Sequence, residues 1–299
     1  MNPTDPTRVT DPDDAPRTKA SRAAAARTDE QRAEVENEAV EKATHMSARL
    51  VYEVVLREGE EELSRPRSSL IFSGLAAGVC IAFSVLGEAL FLTYLPDVPA
   101  SYLLENLGYS LGFMLVIMGR LQLFTENTIT TVMPVLTRRS LNCLLATARL
   151  WGIVLTANTA GCLVAASFLY WTPAIQPEVQ ASIHALSLHA TGFGPVAGFF
   201  KAIPAGLLMA ALVWMMSAGQ RAEGFFIILT FTWLIAAGDF THIVAGSVEM
   251  FYVVFSGDLD AGPAILGFFL PVLLGNIVGG TAVFTAMAWG QVREEIARS

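Results

Sequence analysis

The chain has 299 residues, of which 53% are hydrophobic and 15% charged, with a formal net charge of −8. Residues 1–68 hold 11 of the 19 Lys and Arg and 15 of the 27 Asp and Glu, which leaves 8 basic and 12 acidic groups for residues 69–299. That is too little charge to cover a soluble domain, so the solvent of this region is mostly lipid, and no basic patch interleaved with aromatics points to nucleic acid.

The first 32 residues are Asp, Pro, Thr, Arg and Ala with few large apolar side chains. They cannot bury enough surface to offset their ordering entropy, so a disordered tail is expected. The N-terminus lacks an apolar h-region, so no cleavable signal peptide is expected. Over 33–67, Ala39, Ala43, Met46, Leu50 and Val54 recur every three or four residues. That spacing predicts an amphipathic helix on the membrane surface or packed on the protein. The acidic run Glu58 to Glu62 is expected to be a solvated connector.

A bilayer core of about 30 Å needs about 20 apolar residues per helix. Segments 69–95, 150–171, 190–218 and 263–290 meet that length. Two further apolar segments are each broken by a polar cluster. The first runs from Leu107 to Thr137 with Arg120 to Asn127 inside it, the second from Gly224 to Phe255 with Asp239 to His242 inside it. These six spans predict an all-α membrane domain over 68–292, followed by a short tail, 293–299. Arg57, Arg65, Arg67, Arg138, Arg139, Arg221, Arg293 and Arg298 all fall in alternate connections, whereas 96–106, 172–189 and 256–262 contain no Lys or Arg. The positive-inside rule then puts both termini in the cytoplasm.

Three spans per half is an odd number, so the halves are expected to form a 3+3 inverted repeat with its two breaks near the midplane. Phe124-Thr125-Glu126 and Phe240-Thr241-His242 are aligned as equivalent, each followed by Asn-x-x-Gly, at Asn158 and Asn276. Irregular backbone at membrane depth lines a cavity or is buried in protein. Phe124 and Phe240 are expected to act as constrictions. His242 is the one His inside a span, and an intramembrane ionisable group is a functional candidate by default. It would hydrogen-bond an anion or pass it a proton, or else sit as a neutral core imidazole tied to Thr241, Asp239 or a carbonyl. Thr125 and Thr241 offer hydroxyls to a cargo, or cap the half-helices. Asn158 and Asn276 are expected to hold the broken loops. Arg120, Glu126, Asp239 and Glu249 are expected to pair among themselves. Lys201 would snorkel outward or make a vestibule positive.

The three cysteines, Cys80, Cys143 and Cys162, have no CxxC spacing and read as packing residues. With no HExxH, no Ser/His/Asp set and no metal-spaced cluster, neither an enzyme nor a metal or cofactor site is expected.

Leu123-Phe124-Thr125-x-Asn127, His242 and Leu274-Gly275-Asn276-Ile277-Val278-Gly279-Gly280 resemble the formate/nitrite transporter family, and within it the YfdC-like branch. The resemblance covers roughly residues 69–290. It implies an aquaporin-like fold, a homopentamer in the inner membrane with one pore per protomer, and a small monovalent weak-acid anion as cargo. The family's central His matches His242, its first-loop Thr matches Thr125, and the Asn of its last span matches Asn276. Gln122 stands where the family pattern has an acidic residue, and Glu126 where it has a small one. Glu126 would lower anion entry or favour a neutral or cationic cargo. A channel for a small neutral solute, and a membrane scaffold with a partner-binding tail, are the alternative readings.

Overall fold

In the computed structural model, residues 46–219 and 221–297 are described, and those from Ser47 onward form one compact unit. The expected tail over 1–32, and the amphipathic segment as far as residue 45, lie outside the described residues.

Helix α1 (Ala48–Ser64) starts where the Ser47 hydroxyl accepts the Leu50 N–H at 3.3 Å. Its buried face is Val51, Tyr52, Val55 and Gly59, while Leu50 is half exposed. The face expected from Met46, Leu50 and Val54 is therefore rotated. The cause is tertiary, because Val51, Tyr52 and Val55 pack on Ile129, Met133, Ala210, Val213, Ala288 and Val292. Glu58 to Glu62 form the last turns of α1 rather than a solvated connector.

The spans follow in the expected order. They are α2 (Arg67–Tyr94), α3 (Ser101–Met118), the short helices Asn127–Thr130 and Val132–Arg138 that make half-helix α4 (127–138), and α5 (Leu141–Trp171). The second half has α7 (Pro195–Ala218), α8 (Arg221–Ala237), half-helix α9 (Ile243–Ser256) and α10 (Ala261–Ile296). Five of these are long and apolar enough to cross a membrane, and α8 and α9 are shorter apolar helices. Residues 177–191 form a separate helix, α6 (Pro177–Thr191), so the fourth span begins at Pro195 instead of Ala190. The reason is local: Gly192 and Gly194 interrupt the chain, and Pro195, with no N–H to leave unsatisfied, suits the first turn of the new helix. Large apolar side chains such as Phe72, Leu111, Phe200, Phe226 and Leu266 face outward, as a lipid-facing surface requires.

The two halves repeat each other closely at the breaks. Helix α3 ends with Arg120 at φ 54° and α8 with Asp239 at φ 54°. Leu121 N–H returns to Val116 O at 3.0 Å, and Phe240 N–H to Ile235 O at 2.9 Å. Arg120 N–H bonds Ile117 O, and Asp239 N–H bonds Ala236 O. Both ends are thus the same left-handed C-cap, built on non-glycine residues. Arg120 corresponds to Asp239 and Leu121 to Phe240, a shift of three residues from the alignment of the two Phe-Thr pairs.

The same symmetry sets the helix contacts. A Cβ on Gly78 would collide with the Asn158 backbone, and one on Gly206 with the Asn276 backbone. Gly161 and Gly279 meet the facing helices, at Leu75 and Ile203. Helix pairs α2–α5 and α7–α10 therefore cross backbone to backbone, which brings Asn158 and Asn276 to the breaks. Helix α10 contains two wide π-type stretches, Ala264–Phe269 and Val278–Thr285. The second brings Thr281 Oγ1 to within 2.7 Å of Thr128 O, which ties the last span to α4.

Candidate functional site

The side-chain amides of Asn158 and Asn276 hold the two breaks in matching ways. Asn158 Oδ1 accepts the Phe124 N–H at 2.9 Å, and its Nδ2 donates to Gly74 O and Gln122 O, both at 2.8 Å. Asn276 Oδ1 accepts the Ile243 N–H at 2.8 Å, and its Nδ2 donates to Ala202 O at 2.8 Å and Thr241 O at 3.0 Å. Each amide thus satisfies three backbone groups that the broken helix leaves orphaned. Both side chains are fully buried.

Between the breaks, Thr125 Oγ1 and His242 Nε2 lie 2.7 Å apart, and both residues are buried. The Ala245 N–H donates to His242 Nδ1 at 3.3 Å, so this imidazole caps α9. A ring nitrogen that accepts cannot carry a proton, so the hydrogen-bond network assigns the proton to Nε2, which donates to Thr125. The Thr125 hydroxyl keeps its own hydrogen for another acceptor. Phe113 meets the imidazole edge-on, with ring centroids 5.0 Å apart. Thr241 does not cap α9, because its hydroxyl donates to Gly198 O at 3.1 Å.

A cavity lies on either side of this pair. One, of about 500 Å³, opens at the end of the bundle where α1 packs; Arg65, Arg120, Gln122, Glu126 and Asn127 are among its lining residues. Helix α1 contributes Glu58, Glu61 and Glu62 to its wall. Gln122 Nε2 donates to Glu62 Oε2 at 2.8 Å, and Arg65 pairs with Glu62 at 3.2 Å. Burial pushes the Glu62 carboxyl above the usual carboxylate range, against the pull of Arg65 and Gln122. Glu126 Oε1 is buried with no hydrogen-bond partner among the described residues. Asn127 Nδ2 bridges Gln122 Oε1 at 3.3 Å and Leu123 O at 3.2 Å.

The second cavity, of about 60 Å³, is lined by His242, Thr241, Phe240, Glu88, Asp239 and Glu249 among others. Lys201 does not snorkel away. Its Nζ donates to Asp239 Oδ2 at 2.5 Å and Asp239 O at 3.2 Å, and it stands 4.2 Å from the Phe193 ring centroid. His189 Nε2 adds a contact to Asp239 Oδ1 at 3.0 Å. The expected pairing of Arg120, Glu126, Asp239 and Glu249 among themselves is absent among the described residues, since the partners of Asp239 come from α6 and α7. Those helices reach the break only in the folded bundle.

Phe240 lines the second cavity, but Phe124 lines neither. Its ring packs on Trp151, with centroids 5.5 Å apart. Leu121, the structural counterpart of Phe240, faces the larger cavity instead. The shared Gly-x-aliphatic-or-aromatic order of Gly119-Arg120-Leu121 and Gly238-Asp239-Phe240 carried that register in the sequence. The contribution of α1 to the cavity wall, and a Glu249 with no hydrogen-bond or ion-pair partner among the described residues, were not foreseen.

The formate/nitrite transporter family model matches residues 49–290. The inner membrane protein YfdC of Escherichia coli (strain K12) is 41% identical over 249 residues, which span 83% of this chain and 80% of that protein. A solved structure described as an FNT family ion channel matches with a TM-score of 0.69 at 18% identity, over 80% of this chain and 98% of that one. A pentameric formate channel with formate bound matches with a TM-score of 0.64 at 20% identity, over 76% of this chain and 98% of that one. At these identities the two structures establish the fold, whereas the family model and the 41% identical relative establish the lineage. The chain is a membrane protein that belongs to the formate/nitrite transporter family.

Proposed function

We propose that this chain assembles as a homopentamer and that each protomer passes a small monovalent weak-acid anion, formate or one of its size, across the inner membrane. The observation that carries the reading is the buried Thr125–His242 pair between two cavities at the meeting of two broken helices. Cargo is taken to enter one cavity, to pass Leu121 or Phe240, and to exchange hydrogen bonds at the pair. An anion stripped of water in such a passage is heavily penalised unless it is hydrogen-bonded or neutralised. The Thr125 hydroxyl supplies a donor aimed by His242. The name of the solved formate channel supports both the cargo size and the pentamer. Clustering of basic residues at the α1 end supports a cytoplasmic placement of that end.

The imidazole acts in this scheme as a fixed hydrogen-bond donor. Protonating Nδ1 would break the cap on α9 and set two N–H groups against each other.

One observation favours a second reading, a neutral cargo. The larger cavity carries Glu58, Glu61 and Glu62 against Arg65 and Arg120, so it holds no excess of positive charge to draw an anion in. Uptake of formate, nitrite, hydrosulfide and acetate into proteoliposomes at several pH values, against empty liposomes, separates the two. Flux of any of these anions above the empty control is expected. Thr125→Val is expected to cut it roughly tenfold, the equivalent of one buried hydrogen bond of about 1.4 kcal/mol. No flux above the control overturns the reading.

A further inference from the structure

The fixed tautomer of His242 leaves the pore's centre without a proton donor of its own, yet the second cavity holds an unexplained acid. Glu249 lies seven residues after His242 on α9, so two helical turns place both on one face. Its side chain is 7% exposed, and its carboxylate is turned back over Gly246 toward the cavity. No hydrogen bond or ion pair holds Glu249 or Glu88 among the described residues.

The surrounding charges do not supply a counter-ion. Helix α7 offers Lys201, which is committed to Asp239. Helix α6 offers His189, which also faces Asp239. Helix α2 brings a second carboxylate, Glu88, and α3 brings Tyr109 with Glu105 one turn earlier. His242 has both ring nitrogens engaged. A carboxylate enclosed beside other carboxylates takes up a proton or a cation. The cavity, about 60 Å³, has room for a few waters. No group of three His, Cys, Asp or Glu is placed to hold a metal ion among the described residues.

We propose that Glu249, with Glu88 beside it, is a proton-donating site for the cargo on the cavity side opposite α1. The proposal rests on the weak-acid reading above and deepens it. The Glu249 O–H bond breaks as an O–H bond forms on the cargo carboxylate. Cargo leaves as the neutral acid and Glu249 is left as a carboxylate, with no change of oxidation state. Glu88 passes its proton to Glu249 and is reprotonated by hydronium at the cavity mouth, which is left as water. The neutral acid then meets the Thr125 hydroxyl without the penalty of a bare anion.

Two measurements on the full-length pentamer in lipid test this. Infrared spectra at neutral pH in water and in deuterium oxide are expected to show protonated-carboxyl C=O absorption that shifts on deuteration and falls by one carboxyl in Glu249→Gln; absorption that Glu249→Gln leaves unchanged overturns the proposal. Its absence from the wild type overturns the proposal whatever the flux. Formate uptake with an internal pH dye is expected to show protons moving with formate. Glu249→Gln is expected to flatten the rise in flux on acidification and to lower flux at least tenfold, while Glu105→Gln, outside both cavities, behaves as wild type. An unchanged pH profile in an assembled Glu249→Gln pentamer overturns the donor role and leaves the transport reading intact. A wild type that carries none of the weak acids overturns the transport reading, and the donor role falls with it. Glu249→Met replaces Glu249→Gln if the latter does not assemble, and is held to the same outcomes.

Discussion

Truncating Asn276 to Ala removes one side chain and three hydrogen bonds at once. The Ile243 N–H, Ala202 O and Thr241 O lose partners at 2.8, 2.8 and 3.0 Å, all deep in the bundle. A buried backbone group left unsatisfied costs about 1–3 kcal/mol, so three cost roughly 3–9 kcal/mol before relaxation. Water admitted to the vacated space recovers part of this, and we expect a loss of about 4 kcal/mol, close to a thousandfold in the unfolding equilibrium. Denaturant titration of the purified protein in detergent, followed by the Trp fluorescence, reads this directly. Asn158→Ala supplies an internal control, because Asn158 makes the same three bonds at the other break. The two variants are expected to agree within about 1 kcal/mol, the spread of the per-bond figure. Asn276→Asp keeps an acceptor for Ile243 but cannot donate to two carbonyls, and is expected to be no more stable than the Ala variant. If Asn276→Ala unfolds within about 1 kcal/mol of wild type, the amide does not satisfy the break and the reasoning from orphaned backbone groups fails.

Gly206→Ala drives a methyl into the Asn276 backbone, where neither helix can give way. Overpacking of this kind costs about 1–3 kcal/mol or more, and the yield of assembled pentamer on size exclusion is expected to fall, whereas Gly152→Ala, which meets nothing within 4 Å, is expected to be neutral. Gly59→Ala puts a methyl against the Thr130 backbone and is expected to lift α1 off α4 while leaving the spans intact. Faster hydrogen exchange confined to 48–64 would report it, and unchanged exchange there would contradict the packing. The Asp258 carboxyl is held below the usual carboxylate range, chiefly by the Ser256 hydroxyl and then by His184. A depressed carboxylate stabilises the fold above its unfolded value and loses that contribution as pH falls through the folded one. Exchange in the 256–260 loop is therefore expected to speed up only as pH drops below the ordinary Asp range, and Asp258→Asn is expected to abolish that pH dependence.

Much of the architecture was legible because the bilayer constrains a sequence more tightly than water does. A span must be apolar for about 20 residues, so six spans, two of them broken, and the alternating basic connections could be counted directly. The matched motifs at Asn158 and Asn276 announced a repeat, and the family resemblance named its fold. Local backbone chemistry set the breaks, since Gly119-Arg120 and Gly238-Asp239 end their helices in the same left-handed cap.

What the chain order could not give was the facing of side chains across helices far apart in sequence. Phe124-Thr125 and Phe240-Thr241 look alike, yet Phe124 turns to Trp151 and only Phe240 lines a cavity, because the cap geometry fixes the repeat three residues away. Lys201 and Asp239 find each other only when α7 packs beside the second break. The buried face of α1 is chosen by α4, α7 and α10, not by its own periodicity. Composition and spacing thus determined that this protein is a six-span inverted repeat with two broken helices. The tertiary structure alone decided which groups meet there, because one hydrogen bond from His242 to Thr125 joins residues 117 positions apart.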